Sequence, residues 1–343
     1  MCRCTLPRLL FGSVTAAVKM ASTGGSDDDL SDWESPVDID LDAPPSKQMN
    51  PWSVVTSVAK WVGLGKNKKL WTQLAGHQGS FQAGESQTVL KKLLERERQC
   101  YVNIQCDLLK DFTPEYRGDV QKQGETYLQL QDLLSGFTCP CVMDVKMGCR
   151  TYHEEELKNA RENPVFRKDI YRKMTDLDPD APTPEEREKG GVTKARYLRW
   201  RDEMSSSVNL SFRIEGIRKD DGSSSKDFKR VNLRNQVREK FRFFLGGNKI
   251  ALEAYLKRLE AIKAAEESSE FFSQHELVGS SLLFVHDSEK ANIWIIDFGK
   301  TQALPAGVKI DHRTPWVEGN HEDEYLKGLE NLTAIFTELA NDT

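Results

Sequence analysis

Apolar residues recur with two periods along this chain, and the changes of period outline its elements. Between Pro140 and Gly148 the run Cys-Val-Met-Asp-Val-Lys-Met reads as a strand whose side chains alternate between faces. Cys141, Met143, Val145 and Met147 share one face, suited to a core, while Val142, Asp144 and Lys146 share the other. Strands are also predicted at 116–120 and 126–130 around Lys122-Gln123-Gly124, at 212–217, and as a hairpin of 282–285 with 293–296. Residues 74–81 read as a glycine-bearing hairpin, and Thr88 to Lys91 as a strand after it. Helical patterns cover 93–109, 154–160, 232–245 and 249–267, the last with a core stripe of Leu252, Leu256, Leu259 and Ile262. Another stripe, Phe166, Ile170, Met174 and Leu177, is ended by the proline-rich 178–184, and 193–201 supplies a further basic segment.

Composition narrows the possibilities. The 343 residues can hold one large domain or two lobes, and a net charge of −5 gives no general attraction to nucleic acid or membrane. A polyanionic substrate would need locally focused cations. The seven cysteines have no metal-ligand spacing, and their odd count predicts reduced thiols in a cytoplasmic protein. No apolar run approaches the ~20 residues of a membrane span. Residues 1–20 are basic and apolar, as in signal or transit peptides, and Met20 offers an alternative start. Residues 21–46 read as disordered, with eight acids between Asp27 and Asp42. Charge then reverses. The stretch Trp52 to Lys69 is basic and carries Trp52 and Trp61 nine residues apart. It reads either as a calmodulin-target segment or as a linker that packs a tryptophan.

The candidate chemistry lies in two blocks. Asp144 and Lys146 stand side by side, either as a surface ion pair or as a reacting pair. Downstream, a hairpin delivers Asp297 to a strand end, followed by Phe298-Gly299-Lys300 and preceded by Ser280-Ser281. The pattern Pro-x-x-x-Asp-x-Lys-x-Gly resembles the signature of the inositol polyphosphate kinase family, and the second block matches in order and separation. The resemblance runs from about 71 to 340 and is strongest to the branch that phosphorylates inositol 1,4,5-trisphosphate on its 3-hydroxyl. It implies an α+β, two-lobed kinase-like fold: a small antiparallel-sheet N-lobe at 71–134, and a larger α/β C-lobe at 135–343. A helical inositol-binding insertion would occupy about 151–212, and residues 1–70 would be a largely disordered regulatory segment.

The resemblance also implies roles. Ser80, Lys91, Gln131, Asp132, Leu133 and Arg218 would meet ATP, with Lys92 the rival of Lys91. Asp297 and Ser281, with Ser280 beside it, would hold Mg2+. No His-Arg-Asp loop exists to supply a base as in protein kinases, so Asp144 is the candidate, with Lys146 neutralising phosphate. Arg150, Arg167, Lys168, Arg172, Lys173, Lys194, Arg201 and Lys300 would hold the substrate's phosphates. Ala195 departs from the proline usual after that lysine. Calcium/calmodulin regulation is implied too, through Trp52–Lys69 or through Asp169–Leu177. Residues 150–201 hold 13 Lys or Arg against 11 Asp or Glu, so most of their charges read as solvated ion pairs. The remaining expectations are a broader multikinase or a non-catalytic scaffold.

Overall fold

The computed structural model describes residues 81–85 and 87–342, so the expected ATP contact Ser80 and the segment Trp52–Lys69 lie outside the described residues. Four strands form the first sheet: β1 (Phe81–Ala83), β2 (Thr88–Lys92), β3 (Tyr116–Lys122) and β4 (Glu125–Gln131), in the order β1-β2-β4-β3. The turn between β3 and β4 needs left-handed backbone at Gln123 and Gly124, φ 54° and 82°, which is why Gln-Gly sits there. The second sheet has the order β10-β9-β5-β6-β7. It is built from β5 (Cys141–Met147), β6 (Phe212–Arg218), β7 (Ser224–Ser225), β9 (Ser281–His286) and β10 (Ala291–Ile296). A short pair of β8 (His275–Glu276) with β11 (Gln302–Ala303) lies apart. Every strand pairing among the described residues is antiparallel, and the fold is mixed α+β as expected.

The helices are α1 (Glu95–Ile104), α2 (Glu154–Glu162), α3 (Lys168–Leu177), α4 (Pro184–Lys189), α5 (Lys194–Met204), α6 (Ser207–Leu210), α7 (Arg234–Leu245), α8 (Lys249–Ser268), α9 (Glu270–Ser273) and α10 (Tyr325–Asn341). The helix expected over 93–109 stops early. Asp107 accepts from the Leu109 N–H at 2.9 Å and starts a separate 3-10 turn over Leu108–Phe112. Helix α4 was not expected, yet Thr183-Pro184-Glu185-Glu186 is a capping box. Glu186 N–H donates to Thr183 Oγ1 at 3.2 Å, and Thr183 N–H donates to Glu186 Oε2 at 2.8 Å.

One apolar core joins both sheets. Val89, Leu128 and Leu130 of the first belong to the same cluster as Met143, Val145 and Met147 of the second, with Tyr101, Leu109, Tyr255 and Phe336 between. The predicted core face of β5 is therefore buried as expected. Helices α3 and α5 instead share a small separate core of Ile170, Met174, Val192 and Trp200. Gly148 must be glycine: its φ is +88°, and a Cβ there would lie 2.9 Å from the Asp323 carbonyl.

A buried ion pair braces the turn before β9. Asp323 accepts from the Leu277 N–H at 2.8 Å and the Tyr325 N–H at 2.9 Å, and meets His312 Nδ1 at 2.9 Å. His312 Nε2 faces the Phe272 carbonyl at 3.1 Å, so both partners of the ring are acceptors and the ring is a cation. Burial works against that charge, but Asp323 overrides it and raises the pKa of His312. A raised histidine stabilises fully below its unfolded value of about 6.5 and loses that contribution as pH climbs through the folded value. The stability gap between wild type and His312→Gln, from urea unfolding, should accordingly be wider at pH 6 than at pH 9. A gap independent of pH would show the ring to be neutral.

Candidate active site

Strand β5 lies between β9 and β6, and cross-strand partners share a face. Val142 therefore stands between Val285 and Arg218, Asp144 between Leu283 and Gly216, and Lys146 between Ser281 and Arg213. These three rows are spaced about 7 Å apart by strand geometry. The first row borders a small apolar cluster, where Leu133 packs with Val142, Val285 and Trp294. The segment Gln131 to Leu133 is pinned by its own hydrogen bonds. Gln131 Oε1 accepts from Glu115 N–H at 3.3 Å, Asp132 Oδ1 accepts from Leu134 N–H at 3.0 Å, and Asp132 N–H donates to the Gln87 carbonyl at 2.8 Å.

The second row holds Asp144, 2% exposed. Burial pushes its pKa up to about 7; Lys146 opposes this, while Asp297 and Glu215 add to it. Its Oδ1 has no hydrogen-bond partner among the described residues. In the third row Lys146 Nζ donates to the Gly279 carbonyl at 3.1 Å. Ser281 is wholly buried, and its hydroxyl helps to favour the Asp144 carboxylate without meeting hydrogen-bond geometry. Ser280 Oγ donates to the Leu277 carbonyl at 3.2 Å, so Ser281 is the better oxygen donor of the two.

Asp297 leaves the end of β10 with φ +66°, a left-handed conformation that costs a non-glycine residue about 1–3 kcal/mol and marks functional sites. Lys91 Nζ holds it at 2.7 Å and also reaches Glu97 Oε1 at 2.7 Å. Glu97 Oε1 accepts in turn from the Phe298 N–H at 3.1 Å. Helix α1, strand β2 and the Asp-Phe-Gly turn are thus clamped through one fully buried carboxylate. Burial would depress the pKa of Lys91, but Asp297 and Glu97 raise it, and the ammonium stays charged. Burial would raise the pKa of Asp297, but Lys91 and Lys146 hold it below the usual carboxylate range. Lys92 points elsewhere and pairs with Glu125 on the exposed side.

Lys300 and cations of the segment 151–212 gather around Glu156 and Arg213. Lys300 Nζ reaches the Thr151 carbonyl at 2.9 Å and Glu156 Oε2 at 3.0 Å, and Lys194 reaches Glu156 Oε1 at 3.4 Å. Arg201 has a buried Nη1 with no partner among the described residues, and burial together with Arg213 lowers its pKa. Arg150 departs from the expectation. It is 1% exposed, and its guanidinium is committed to Glu276 Oε2 at 2.7 Å and to the carbonyls of Tyr152, Glu322 and His321, so it is a structural residue. Arg167 pairs with Asp169, and Lys168, Arg172 and Lys173 stand exposed on α3. Arg218 closes β6 beside the small apolar cluster. The sequence reading missed Glu97, Glu156, Arg213 and Glu215. A glutamate one turn into a helix after the strand lysine was the one signal available for Glu97.

Fold and site together define a kinase of small molecules. The model of the inositol polyphosphate kinase family matches residues 127–337, and the chain belongs to that family. It is 49% identical over 341 residues to human inositol-trisphosphate 3-kinase A, covering 97% of this chain and 74% of that protein. Human inositol-trisphosphate 3-kinase B is 50% identical over 88% of this chain, which spans only 32% of that longer protein. The inositol-trisphosphate 3-kinase homolog of Caenorhabditis elegans is 40% identical over 83% of this chain and 58% of its own length. Among solved structures, an inositol phosphate multikinase from S. cerevisiae in complex with ADP and Mn2+ superposes with a TM-score of 0.50 at 19% identity. It covers 74% of this chain and 100% of its own, and supports the fold.

Proposed function

We propose that this chain transfers the γ-phosphoryl group of ATP to the 3-hydroxyl of inositol 1,4,5-trisphosphate, giving the 1,3,4,5-tetrakisphosphate. The observation that carries the reading is Asp144, a buried carboxylate with an unpartnered oxygen and a pKa near 7, one row from Lys146. A general base works best with a pKa near the working pH.

Phosphoryl transfer needs mainly positioning and charge neutralisation. Asp297 and Ser281 offer hard oxygen donors, and the orphaned Ser281 hydroxyl fits a divalent cation such as Mg2+. When bound, Mg2+ would offset the charge of the nucleotide phosphates. Lys91 would meet those phosphates, and Gln131 to Leu133 and Arg218 would border the nucleotide, joined by Ser80 if the family resemblance holds there. Asp144 takes the proton from the attacking hydroxyl, and Lys146 neutralises the phosphoryl group in transit. Lys194, Arg201 and Lys300 hold the substrate, whose monoester groups each carry about −1.5 to −2 charges.

The test is product chromatography after incubation with several inositol phosphates. A single tetrakisphosphate product from the 1,4,5-trisphosphate is expected. A wide product range would mark a multikinase, and absence of ATP consumption a scaffold.

Control by calcium/calmodulin belongs to the same proposal, as does cytoplasmic residence. No described helix is long and apolar enough to cross a membrane. Helix α3 presents its basic residues outward, but Ile170 and Met174 are buried against Val192 and Trp200. A partner reading the apolar stripe must first displace α3. Calcium-loaded calmodulin should therefore change the rate more in a Trp200→Ala variant if α3 is the target, and equally in both chains if it is not.

A further inference from the structure

Strand β6 carries one residue more than β5 where the two pass the reacting row. Asp144 pairs with Gly216 and Val145 with Ile214, which leaves Glu215 as the inserted residue of a β-bulge. A bulge re-aims side chains, and bulges are over-represented beside active sites. Here Arg213, the cross-strand partner of Lys146, donates from Nε to Glu215 Oε1 at 2.6 Å. Glu215 therefore lies on the face that also carries Asp144 and Lys146. Its side chain is 20% exposed, and Oε2 makes no hydrogen bond among the described residues. Burial alone would raise its pKa, but Arg213, Lys146 and Arg201 hold it at about 2, so the carboxylate is ionised at every working pH.

Lys146 and Arg201 beside Glu215, like Lys194 and Lys300, are proposed to hold substrate and favour phosphate. An ionised carboxylate among them does the reverse: it accepts a hydrogen bond from a hydroxyl and repels a phosphate. Arg213 is already engaged by Asp202 as well, so Glu215 is not needed merely to neutralise it. We infer that Glu215 is a specificity-determining residue that accepts a hydrogen bond from a ring hydroxyl other than the one phosphorylated, and rejects inositols with a phosphate at that carbon. The inference rests on the 3-kinase reading for its substrate.

Inositol 1,4,5-trisphosphate has two non-reacting hydroxyls, at carbons 2 and 6. Wild type and Glu215→Gln are compared on the parent compound and on its 2-deoxy and 6-deoxy analogues, by calorimetric Kd and by kcat/KM. One analogue should cost the wild type roughly 10- to 100-fold, the range of a hydrogen bond to a charged group. Glu215→Gln should lose a similar factor on the parent and little more on that analogue. The variant should also gain, relative to wild type, on the tetrakisphosphate phosphorylated at that carbon.

Losses that multiply for both analogues, or a wild type indifferent to both, overturn the inference. So does a variant that loses ATP binding along with turnover, since the carboxylate would then be structural. The expected pattern in Kd without any turnover would sink the activity and keep Glu215's role; normal turnover with multiplying losses would do the opposite.

Discussion

Replacing Asp144 by asparagine should lower turnover by roughly 10^2- to 10^4-fold, leave ATP binding in place, and make the protein more stable. The gain in stability follows from the same burial that raises the pKa. Moving the pKa from 3.8 to about 7 is a shift of about 3 units, and each unit corresponds to 1.36 kcal/mol, so the ionised side chain costs the fold up to about 4 kcal/mol at pH 8. The folded state binds the proton more tightly, so wild-type stability rises as pH falls from above 7 toward 4. Asparagine has no charge to bury, and its advantage should be several degrees in Tm at pH 8 and vanish near pH 4. Lys146 would lose its neighbour, which makes the 4 kcal/mol an upper bound. A variant with lower Tm at pH 8 would refute burial as the origin of the raised pKa.

Lys91→Met should have the largest effect on nucleotide binding and a large effect on the fold. It strips both Glu97 and Asp297 of the ammonium between them, and Glu97 is 0% exposed. Removing one partner of a buried pair typically costs about 3–5 kcal/mol, because the remaining charge stays uncompensated. Adding Glu97→Gln to this variant should recover part of the stability but none of the ATP affinity. The neighbouring Lys92→Met is the control. Its side chain is 59% exposed, and surface changes of this kind fall within about 0.5 kcal/mol. Urea midpoints and ATP titration of the three variants would decide. Equal losses at 91 and 92 would mean that the clamp on Asp297 does not form in solution.

What was legible in the sequence was the part governed by local periodicity. Alternation along Cys141–Met147 gave the face shared by Asp144 and Lys146, and the hairpin of β9 and β10 gave the position of Asp297 at a strand end. Glu215 was hidden because a bulge shifts register by one residue, and a period of two carries no trace of that shift. Glu97 and Glu156 were hidden for another reason: each looks like an ordinary helix-surface acid, and only tertiary approach brings Lys91 or Lys300 to it. Arg150 misled in the opposite direction. An arginine after the Asp-x-Lys strand suits a phosphate, but the chain folds Glu276 and three carbonyls around it. The helix α10 escaped notice as well, although Leu329, Leu332, Ile335, Phe336 and Leu339 form a buried stripe along it.

The insertion's entry and exit also have an evolutionary reading. Met147, where the chain leaves β5, is paired directly with Phe212, where it returns in β6. The excursion between them fills one small core of its own, around Ile170, Met174, Val192 and Trp200, and shares a second with Trp316. Such a module can lengthen, shrink or be exchanged by recombination while the strands that flank it keep their register. If the excursion holds the acceptor as proposed, a lineage gains new acceptors for an old phosphate donor without rebuilding the machinery of transfer.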